Sequence, residues 1–208
     1  MKTNFVRALV LLFSGYLFLG VPPFIRAAAT YAEVLALVRA VMKDDSKALA
    51  ELRVRSEAGE AWCQYHLGML YKIGECVPKS EVEAEKWFLK SANQGDAEAQ
   101  EQIGIMHLEG ISGVRNEAEA LKWFLKSAEN ENFSVIRKLA AMYDKGEGVV
   151  KDQVEAYKWY LLMAAKNDGE ARAVANRIEE VLSPRERADG QKRAKELHEQ
   201  WQQNKKVL

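Results

Sequence analysis

The sequence predicts an all-α protein in which helix-turn-helix units stack into an α-solenoid. The first observation is a period, because Trp87, Trp123 and Trp159 lie 36 residues apart in a chain of 208 residues. A repeat length between about 20 and 50 residues is typical of stacked-repeat architectures. The second observation is composition, since Ala, Glu, Lys and Leu dominate the chain and all four favour helices.

Composition also excludes several classes of protein. Hydrophobic residues make up 48% of the chain and charged residues 29%, which is enough apolar surface for a packed core. Lys plus Arg and Asp plus Glu number 30 each, so the chain has no basic excess for binding nucleic acid. Two Cys cannot form a disulfide framework, and three separated His leave little for a transition-metal site. We therefore expect no nucleic-acid partner, no metal and no cofactor.

The N-terminus has the pattern of a secretory signal peptide. The first seven residues carry the basic Lys2 and Arg7. The apolar run Ala8–Val21 follows, and Pro22-Pro23 ends this run. As a helix this run would span roughly 21 Å, which is short of the ~30 Å hydrocarbon core of a membrane. Ala27-Ala28-Ala29 then offers the small residues that a signal peptidase recognises.

We therefore expect residues 1–29 to be a cleaved signal peptide, with cleavage near Ala29 and Thr30. The mature protein would then lie in the periplasm or outside the cell, with no membrane insertion. An uncleaved N-terminal anchor is the alternative. No Cys follows the apolar run, which disfavours a bacterial lipoprotein.

Residues 30–60 are predicted to form divergent N-terminal capping helices. Thr30–Met42 would be the first helix, and residues 44–59 the second helix of a degenerate leading repeat. The second assignment depends on three residues that lie one period before matching residues of the first full repeat. These are Asp44, Ala48 and Gly59, which match Ser80, Ala84 and Gly95.

Residues 61–168 hold three repeats of 36 residues, which are 61–96, 97–132 and 133–168. Seven columns are identical in all three repeats when they are laid over one another, so the period is a structural unit. The columns are Gly74/Gly110/Gly146, Glu83/Glu119/Glu155, Ala84/Ala120/Ala156, Lys86/Lys122/Lys158, Trp87/Trp123/Trp159, Leu89/Leu125/Leu161 and Ala92/Ala128/Ala164.

Each repeat is predicted to contain two helices. The first, Ala61–Ile73 in the first repeat, carries apolar residues on one stripe at helical spacing. A Gly follows it in every repeat, where a left-handed residue ends the helix without steric penalty. Gly68 and Gly104, with Ala140 in the third repeat, place a small residue where a neighbouring helix must come close.

The second helix opens with Ser80, Asn116 or Asp152, and a Glu follows three residues later in every repeat. This spacing predicts a capping box, in which the first side chain bonds a backbone N–H near the helix start and the Glu reaches back to the cap. The Trp of each second helix is predicted to fill the space that small Ala residues leave. We therefore expect Trp123 to be buried in the middle of the stack.

These repeats resemble the Sel1-like repeat, a relative of the tetratricopeptide repeat. The first repeat carries the pattern as Leu67-Gly68, Tyr71, Gly74-x-x-Val77, Ala84, Trp87-Phe88 and Ser91-Ala92-x-x-Gly95. The second repeat departs from it by one extra residue in its turn and by Glu131 in place of the last Gly, which should alter a loop and not the fold. The resemblance implies a right-handed α-superhelix that serves mainly as a protein-binding scaffold.

Residues 169–208 are predicted to form C-terminal capping helices. Glu170–Leu182 would be one helix, and Ser183-Pro184 would start the last, which runs to about Asn204. A terminal repeat needs a polar outer side, and this last helix supplies one because its stripe is only partly apolar. The stripe comprises Ala188, Gln191, Ala194, Lys195, His198 and Trp201.

The sequence contains no motif of a metalloprotease, a phosphate-binding loop, a nucleophile elbow or a Cys-x-x-Cys site, so we predict that the protein is not an enzyme.

Cys63 and Cys76 flank one predicted helix. Thirteen residues at about 1.5 Å each would separate them by roughly 20 Å, which is too far for a disulfide bond. We expect Cys63 in the core and Cys76 in a turn, as a free thiol or paired with another chain.

A partner is predicted to bind the concave groove that the first helices line. By resemblance to tetratricopeptide arrays, the inward positions of a first helix follow i, i+3, i+7 and i+10. These columns differ among the repeats, as a partner surface or an unconstrained solvent face would, and the aromatic and Met residues of the first repeat favour binding. This first-helix surface comprises Trp62, Tyr65, Met69 and Lys72, then Glu98, Glu101, Ile105 and Leu108, then Ser134, Arg137, Ala141 and Asp144.

The leading hypothesis is a secreted or periplasmic scaffold that binds a partner protein or peptide segment in this groove, and so regulates an envelope sensor or an assembly. One alternative is a hydrolase acting on cell-wall or β-lactam-type substrates, which has been suggested for some relatives, although no nucleophile–base arrangement supports it. Another alternative is a membrane-tethered structural adaptor that keeps its N-terminus.

Overall fold

The computed structural model describes residues 23–111 and 113–207. These residues form ten α-helices and no strand. The helices are α1 (Pro23–Val41), α2 (Ser46–Glu57), α3 (Ala61–Ile73), α4 (Glu81–Ala92), α5 (Ala97–Glu109), α6 (Glu117–Glu129), α7 (Phe133–Lys145), α8 (Gln153–Ala164), α9 (Gly169–Val181) and α10 (Pro184–Val207).

The helices form an all-α solenoid, as the sequence predicts. In each repeat the two helices pack against one another, and the second helix packs against the first helix of the next unit. Buried side chains form clusters that join neighbouring units, so apolar burial is continuous along the stack. The invariant Ala84, Ala120 and Ala156 lie in these clusters and are at most 1% exposed.

Two predicted uses of Gly are confirmed. Gly74, Gly110 and Gly146 end the first helices in the left-handed conformation, with φ values of 82°, 72° and 78°. The small residue inside the first helix lets the Phe of the second helix approach: a Cβ on Gly68 would lie 2.8 Å from the ring of Phe88. The close helix contact that the sequence predicts is therefore a Gly–Phe contact within each of the first two repeats.

The turn between repeats keeps one backbone conformation despite changes of residue. Gly59, Gly95, Glu131 and Asn167 are spaced 36 residues apart and have positive φ values of 98°, 94°, 61° and 66°. The replacement of Gly by Glu131 therefore leaves the fold unchanged, as predicted. Gly59 shares the conformation, so the leading unit over residues 30–60 ends as a repeat does.

The predicted capping boxes form only in part. Ser80 Oγ accepts a hydrogen bond from the N–H of Glu83 at 3.2 Å, and Asn116 and Asp152 cap the later second helices in the same way. The Glu side chain does not return to the cap, because the N–H of Ser80 donates to the carbonyl of Tyr71 at 2.9 Å. That bond, present in all three repeats, leaves each Glu available for another partner.

That partner is the invariant Lys three residues later. Lys86 lies 3.2 Å from Glu83 and Lys122 lies 2.5 Å from Glu119, and the corresponding pair forms in the third repeat. The identical Glu and Lys columns are thus one feature, an ion pair within each second helix. The sequence period showed both columns without showing that they contact each other.

The three invariant Trp residues are not equally buried, and the expectation that Trp123 is fully buried is wrong. Trp87 and Trp159 are 6% and 3% exposed, whereas Trp123 is half-buried with Lys126 Nζ 4.2 Å from its ring centroid. Trp87 packs with the leading helices and Trp159 packs with the C-terminal helix. Trp123 lacks a comparable cover, because it only borders the cluster between α4 and α5.

The helix α1 begins earlier than predicted, at Pro23 and not at Thr30. The predicted positive and apolar regions of the signal peptide lie outside the described residues. No helix in the part of the chain from residue 23 onward is both long and apolar enough to cross a membrane.

The last helix, α10, buries a different stripe from the one predicted. Gly190, Ala194 and Trp201 are buried and Leu197 is half-buried, an i, i+4, i+7, i+11 spacing. The predicted members Ala188, Gln191 and Lys195 are exposed instead. The predicted stripe was wrong because α10 does not pair with α9 as in a repeat, but packs across α8.

Candidate protein-binding surface

The first-helix surface is accessible at every position that the sequence predicts. Glu98, Ser134 and Arg137 are exposed, and the other nine residues are half-buried. Residues on the opposite side of the same helices, such as Leu67 and Ile103, are at most 1% exposed. The prediction that the surface binds a partner stays a prediction, but each of its residues is at least partly accessible to solvent.

The first repeat supplies an apolar end. The ring of Trp62 packs edge-on against Tyr31 of α1, with centroids 4.8 Å apart. Tyr65 lies beside Phe88, with centroids 5.9 Å apart, and Met69 packs with it against the cluster between α4 and α5. Three large side chains therefore stand next to one another, each supported from beneath and each partly open.

The Tyr65 hydroxyl lies in an acidic neighbourhood. Burial, together with the negative charges of Glu98, Asp96 and Glu101, raises the pKa of Tyr65 to about 12. The phenol is therefore protonated at every physiological pH and can donate a hydrogen bond. Glu98 is the exposed carboxylate of this group.

The second repeat contributes a carboxylate that is already satisfied. Glu101 accepts hydrogen bonds from Lys138 at 2.7 Å, Ser134 at 2.6 Å and Asn132 at 3.0 Å. Burial raises the pKa of Glu101, but these hydrogen bonds outweigh it and hold the pKa below its usual value. Glu101 thus ties α5 to α7, which leaves Glu98 as the carboxylate open to a partner.

The third repeat adds charged groups around an open cavity. Arg137 forms ion pairs with Asp168 and with Glu170, the latter at 3.3 Å. The cavity has a volume of about 400 Å³ and lies where α7 meets the end of α8. Its lining comprises Phe133, Ser134, Arg137, Met163, Lys166, Asn167 and Asp168.

Bonds between successive first helices hold the surface in one arrangement. Lys72 Nζ donates to Gln102 Oε1 at 2.6 Å, which joins α3 to α5 as Glu101 joins α5 to α7. The sequence did not indicate Gln102, Asn132 or Lys138, because their columns differ from repeat to repeat. It also missed Tyr31, which lies in the divergent cap where no repeat pattern marks it.

The described residues contain no cluster of His, Cys, Asp and Glu able to hold a metal ion. His66 is half-buried, and burial lowers its pKa. Cys63 is buried, as the sequence predicts, whereas Cys76 is exposed, and both are free thiols. Burial raises the pKa of the Cys63 thiol to about 12, so the thiol stays protonated in the core.

The repeats match a known family. A family model for the Sel1 repeat matches residues 63–96, 97–132 and 135–168, which together are half of the chain. The chain belongs to the Sel1 repeat family. Sel1 repeat proteins generally mediate protein–protein interactions, and their scaffolds are typically non-enzymatic. No curated protein matches the sequence of this chain.

Solved structures with Sel1 repeats are similar to this chain. The crystal structure of a Sel1 repeat protein from Oxalobacter formigenes is 30% identical, with a TM-score of 0.62, over 68% of this chain and 59% of that one. The structure of c5321, a protective antigen present in uropathogenic Escherichia coli strains, is 24% identical with a TM-score of 0.46, over 86% of this chain and 48% of that one. The chain therefore spans about half to three fifths of the length of these relatives.

Proposed function

We propose that this Sel1 repeat protein is an exported scaffold that binds an extended segment of a partner protein along its first-helix surface. The observation that carries the proposal is the accessible row of first-helix side chains, which hydrogen bonds between successive first helices hold in place. A surface fixed before binding loses little conformational freedom when a partner docks. Aromatic and Met residues at one end supply the apolar contact that interfaces favour.

The chemistry of the surface defines the partner segment. A bulky apolar residue fits against Trp62, Tyr65 and Met69, which are packed beneath and open above. A neighbouring Lys or Arg fits the exposed carboxylate of Glu98, and the protonated Tyr65 hydroxyl can donate to a main-chain carbonyl of the segment. We therefore propose a partner segment that pairs an apolar anchor with a basic residue.

Export to the periplasm or the cell exterior is part of the proposal. It rests on the charged start, the apolar run and the Ala27-Ala28-Ala29 site of the sequence. Mass spectrometry of the exported protein should give an N-terminus at or near Thr30. A protein recovered from the envelope that still begins at Met1 would contradict cleavage.

Affinity capture from an envelope fraction, followed by calorimetry with the captured partner, tests the site. Trp62→Ala or Tyr65→Ala should each weaken binding by about 2 kcal/mol or more, roughly thirtyfold, because buried anchors dominate interface energy. Val82→Ala is the matched control, since Val82 is an apolar residue 76% exposed on the second helix α4. Unchanged affinity for both aromatic variants, with native circular dichroism, would move the site away from the first-helix surface.

Substituting Glu98 and Glu101 one at a time distinguishes a carboxylate that contacts the partner from one that is bonded within the protein. Glu98→Gln should slow association and flatten its salt dependence, because an exposed charge chiefly steers encounter. Glu101→Gln should leave the salt dependence of association unchanged, because its carboxylate is already bonded to Lys138, Ser134 and Asn132. Equal effects of both substitutions on the association rate would refute this distinction.

A further inference from the structure

The helix α10 folds back and inserts Trp201 at the junction of the second and third repeats. The indole Nε1 donates a hydrogen bond to the carbonyl of Ala128, at the end of α6, at 3.1 Å and across 73 residues of sequence. The ring is 2% exposed and meets Phe133 of α7 edge-on, with centroids 5.9 Å apart. Trp201 thus occupies a cleft between α6 and α7.

This junction lacks a side-chain hydrogen bond that the other junctions have. Gln64 donates to the carbonyl of Ser56 at 2.9 Å, and Gln100 donates to that of Ala92 at 3.1 Å. Arg172 makes the same bond to Ala164 at 3.1 Å. In the third repeat, the position that corresponds to Gln64 and Gln100 is Ile136, whose side chain has no hydrogen-bond donor. The indole of Trp201, from outside the repeats, supplies the hydrogen bond instead.

The two halves of α10 are attached differently. The first half packs Gly190 against the ring of Tyr157, where a Cβ would lie 2.7 Å away, and pairs Arg193 with Glu155 at 2.6 Å. In the second half, the ion pair of Lys195 with Glu199 stays within the helix.

The second half also borders an open groove. This groove is mainly apolar, has a volume of about 200 Å³ and lies between α8 and α10. It is lined by Leu161, Leu162, Ala165, Ala194, Lys195 and His198. Residues 194–204 contribute Ala194 and Trp201 to the buried cluster, and Leu197 packs against it. Trp201 is the largest of these side chains, and its indole also bonds to α6.

We propose that the cleft between α6 and α7 is a docking site for an amphipathic helix, and that residues 194–204 are a strap that occupies it and can be displaced. The displacing partner is a helix that presents a small residue, a Leu three positions later and a Trp seven positions later, as Ala194, Leu197 and Trp201 do. This pattern of residues in the partner helix is inferred from the contacts that residues 194–204 make in the structure. Its indole satisfies the Ala128 carbonyl, and its Leu and small residue cover the apolar wall of α8. The proposal is independent of the first-helix surface.

Hydrogen exchange of the unmodified full-length chain tests whether the segment is a strap. Amides of residues 195–204 should exchange at least about tenfold faster than the buried amides of α7 and α8, because a terminal segment attached along one face by Ala194, Leu197 and Trp201 can open without the rest. Trp201→Ala should remove the remaining protection of this segment and leave that of α7 and α8 nearly unchanged. Gln200→Ala, an exposed neighbour on the same helix, is the control and should change neither.

Binding in trans tests the docking site. A labelled synthetic peptide of residues 184–207 should bind the full-length Trp201→Ala variant with a Kd on the order of 10 µM by fluorescence anisotropy, since the cleft is then open. The same peptide with Trp201→Ala should bind at least about tenfold more weakly, because the anchor is lost. The unmodified chain should bind the first peptide more weakly than the variant does, since its own strap competes.

Three results would overturn the proposal. Equal exchange rates for residues 195–204 and α8 in the unmodified chain would show that α10 is an integral part of the core. Failure of the peptide to bind a variant whose segment is unprotected would show that the cleft is not a docking site. Concentration-dependent dimerisation of the unmodified chain by light scattering, abolished by Trp201→Ala, would make the occupant the α10 of a second copy.

Discussion

Gly104→Ala tests the closest helix contact of the stack. Gly104 lies within α5, and a Cβ added there would sit 2.5 Å from Cδ1 of Phe124 on α6. Phe124 is fully buried, so its ring has no open space into which it can turn. The substitution therefore forces α5 and α6 apart or drives the ring from its rotamer.

The expected effect is a net loss of about 1–2 kcal/mol in the free energy of unfolding. Overpacking a filled core costs about 1–3 kcal/mol, and a contact well under 3 Å puts this substitution in the upper part of that range, at about 2–3 kcal/mol. Ala is a better helix former than Gly by about 1 kcal/mol, which offsets part of that loss. For a chain of this length, each kcal/mol corresponds to roughly 2–4 °C in melting temperature. Calorimetry and urea unfolding followed by circular dichroism would measure both quantities.

Gly169→Ala is the control, because Gly169 starts α9 and has no neighbour within 4 Å of an added Cβ. It should change stability by no more than about 0.5 kcal/mol. The double variant Gly104→Ala with Phe124→Leu should recover part of the loss, because Leu removes the ring atoms that clash. A Gly104→Ala variant as stable as the unmodified chain would refute the close packing of α5 on α6.

Two further perturbations follow from burial. Trp159→Ala should lower the free energy of unfolding by about 3–5 kcal/mol, whereas Trp123→Ala should cost about half as much in urea unfolding, because only Trp159 is fully covered. Equal losses would show that their environments do not differ. Burial raises the pKa of Asp96, the N-cap of α5, to about 6 from an ordinary 3.8, so the folded state holds this proton more tightly. Stability from this group is then present at low pH and is lost as pH rises from about 4 to 6, by up to about 3 kcal/mol. Asp96→Asn keeps a good N-cap and should flatten the profile of unfolding free energy over that range.

The periodic part of the fold could be predicted from the sequence because each repeat solves the same packing problem. Gly74 ends a helix and Ala84 faces the core for reasons that recur three times. The capping boxes were only half correct because the competing bond is tertiary. The N–H of Ser80 donates to Tyr71 across the turn, and sequence spacing does not show that contact.

The candidate surface could be located from the sequence, but its internal bonds could not. Helical spacing is enough to place Trp62, Tyr65 and Glu98 on one side of their helices. The satisfaction of Glu101 depends on Lys138, which lies 37 residues away in a column that varies among repeats. Glu101, which the sequence places on the partner surface, is therefore also a structural link between α5 and α7, and only the three-dimensional arrangement shows that role.

The same reasoning explains why the repeats can differ without breaking the stack. A repeat can lose a polar contact when apolar burial and a donor from elsewhere replace it. Ile136 is fully buried among apolar neighbours, so its side chain stabilises the third repeat through the core cluster and not through the hydrogen bond that Gln64 and Gln100 make. The carbonyl of Ala128 still receives a side-chain hydrogen bond, from Trp201. At this junction the hydrogen bond comes from the terminal helix and not from the repeat itself. The attachment of α10 therefore contributes to the packing of α6 on α7, in addition to covering the end of the stack.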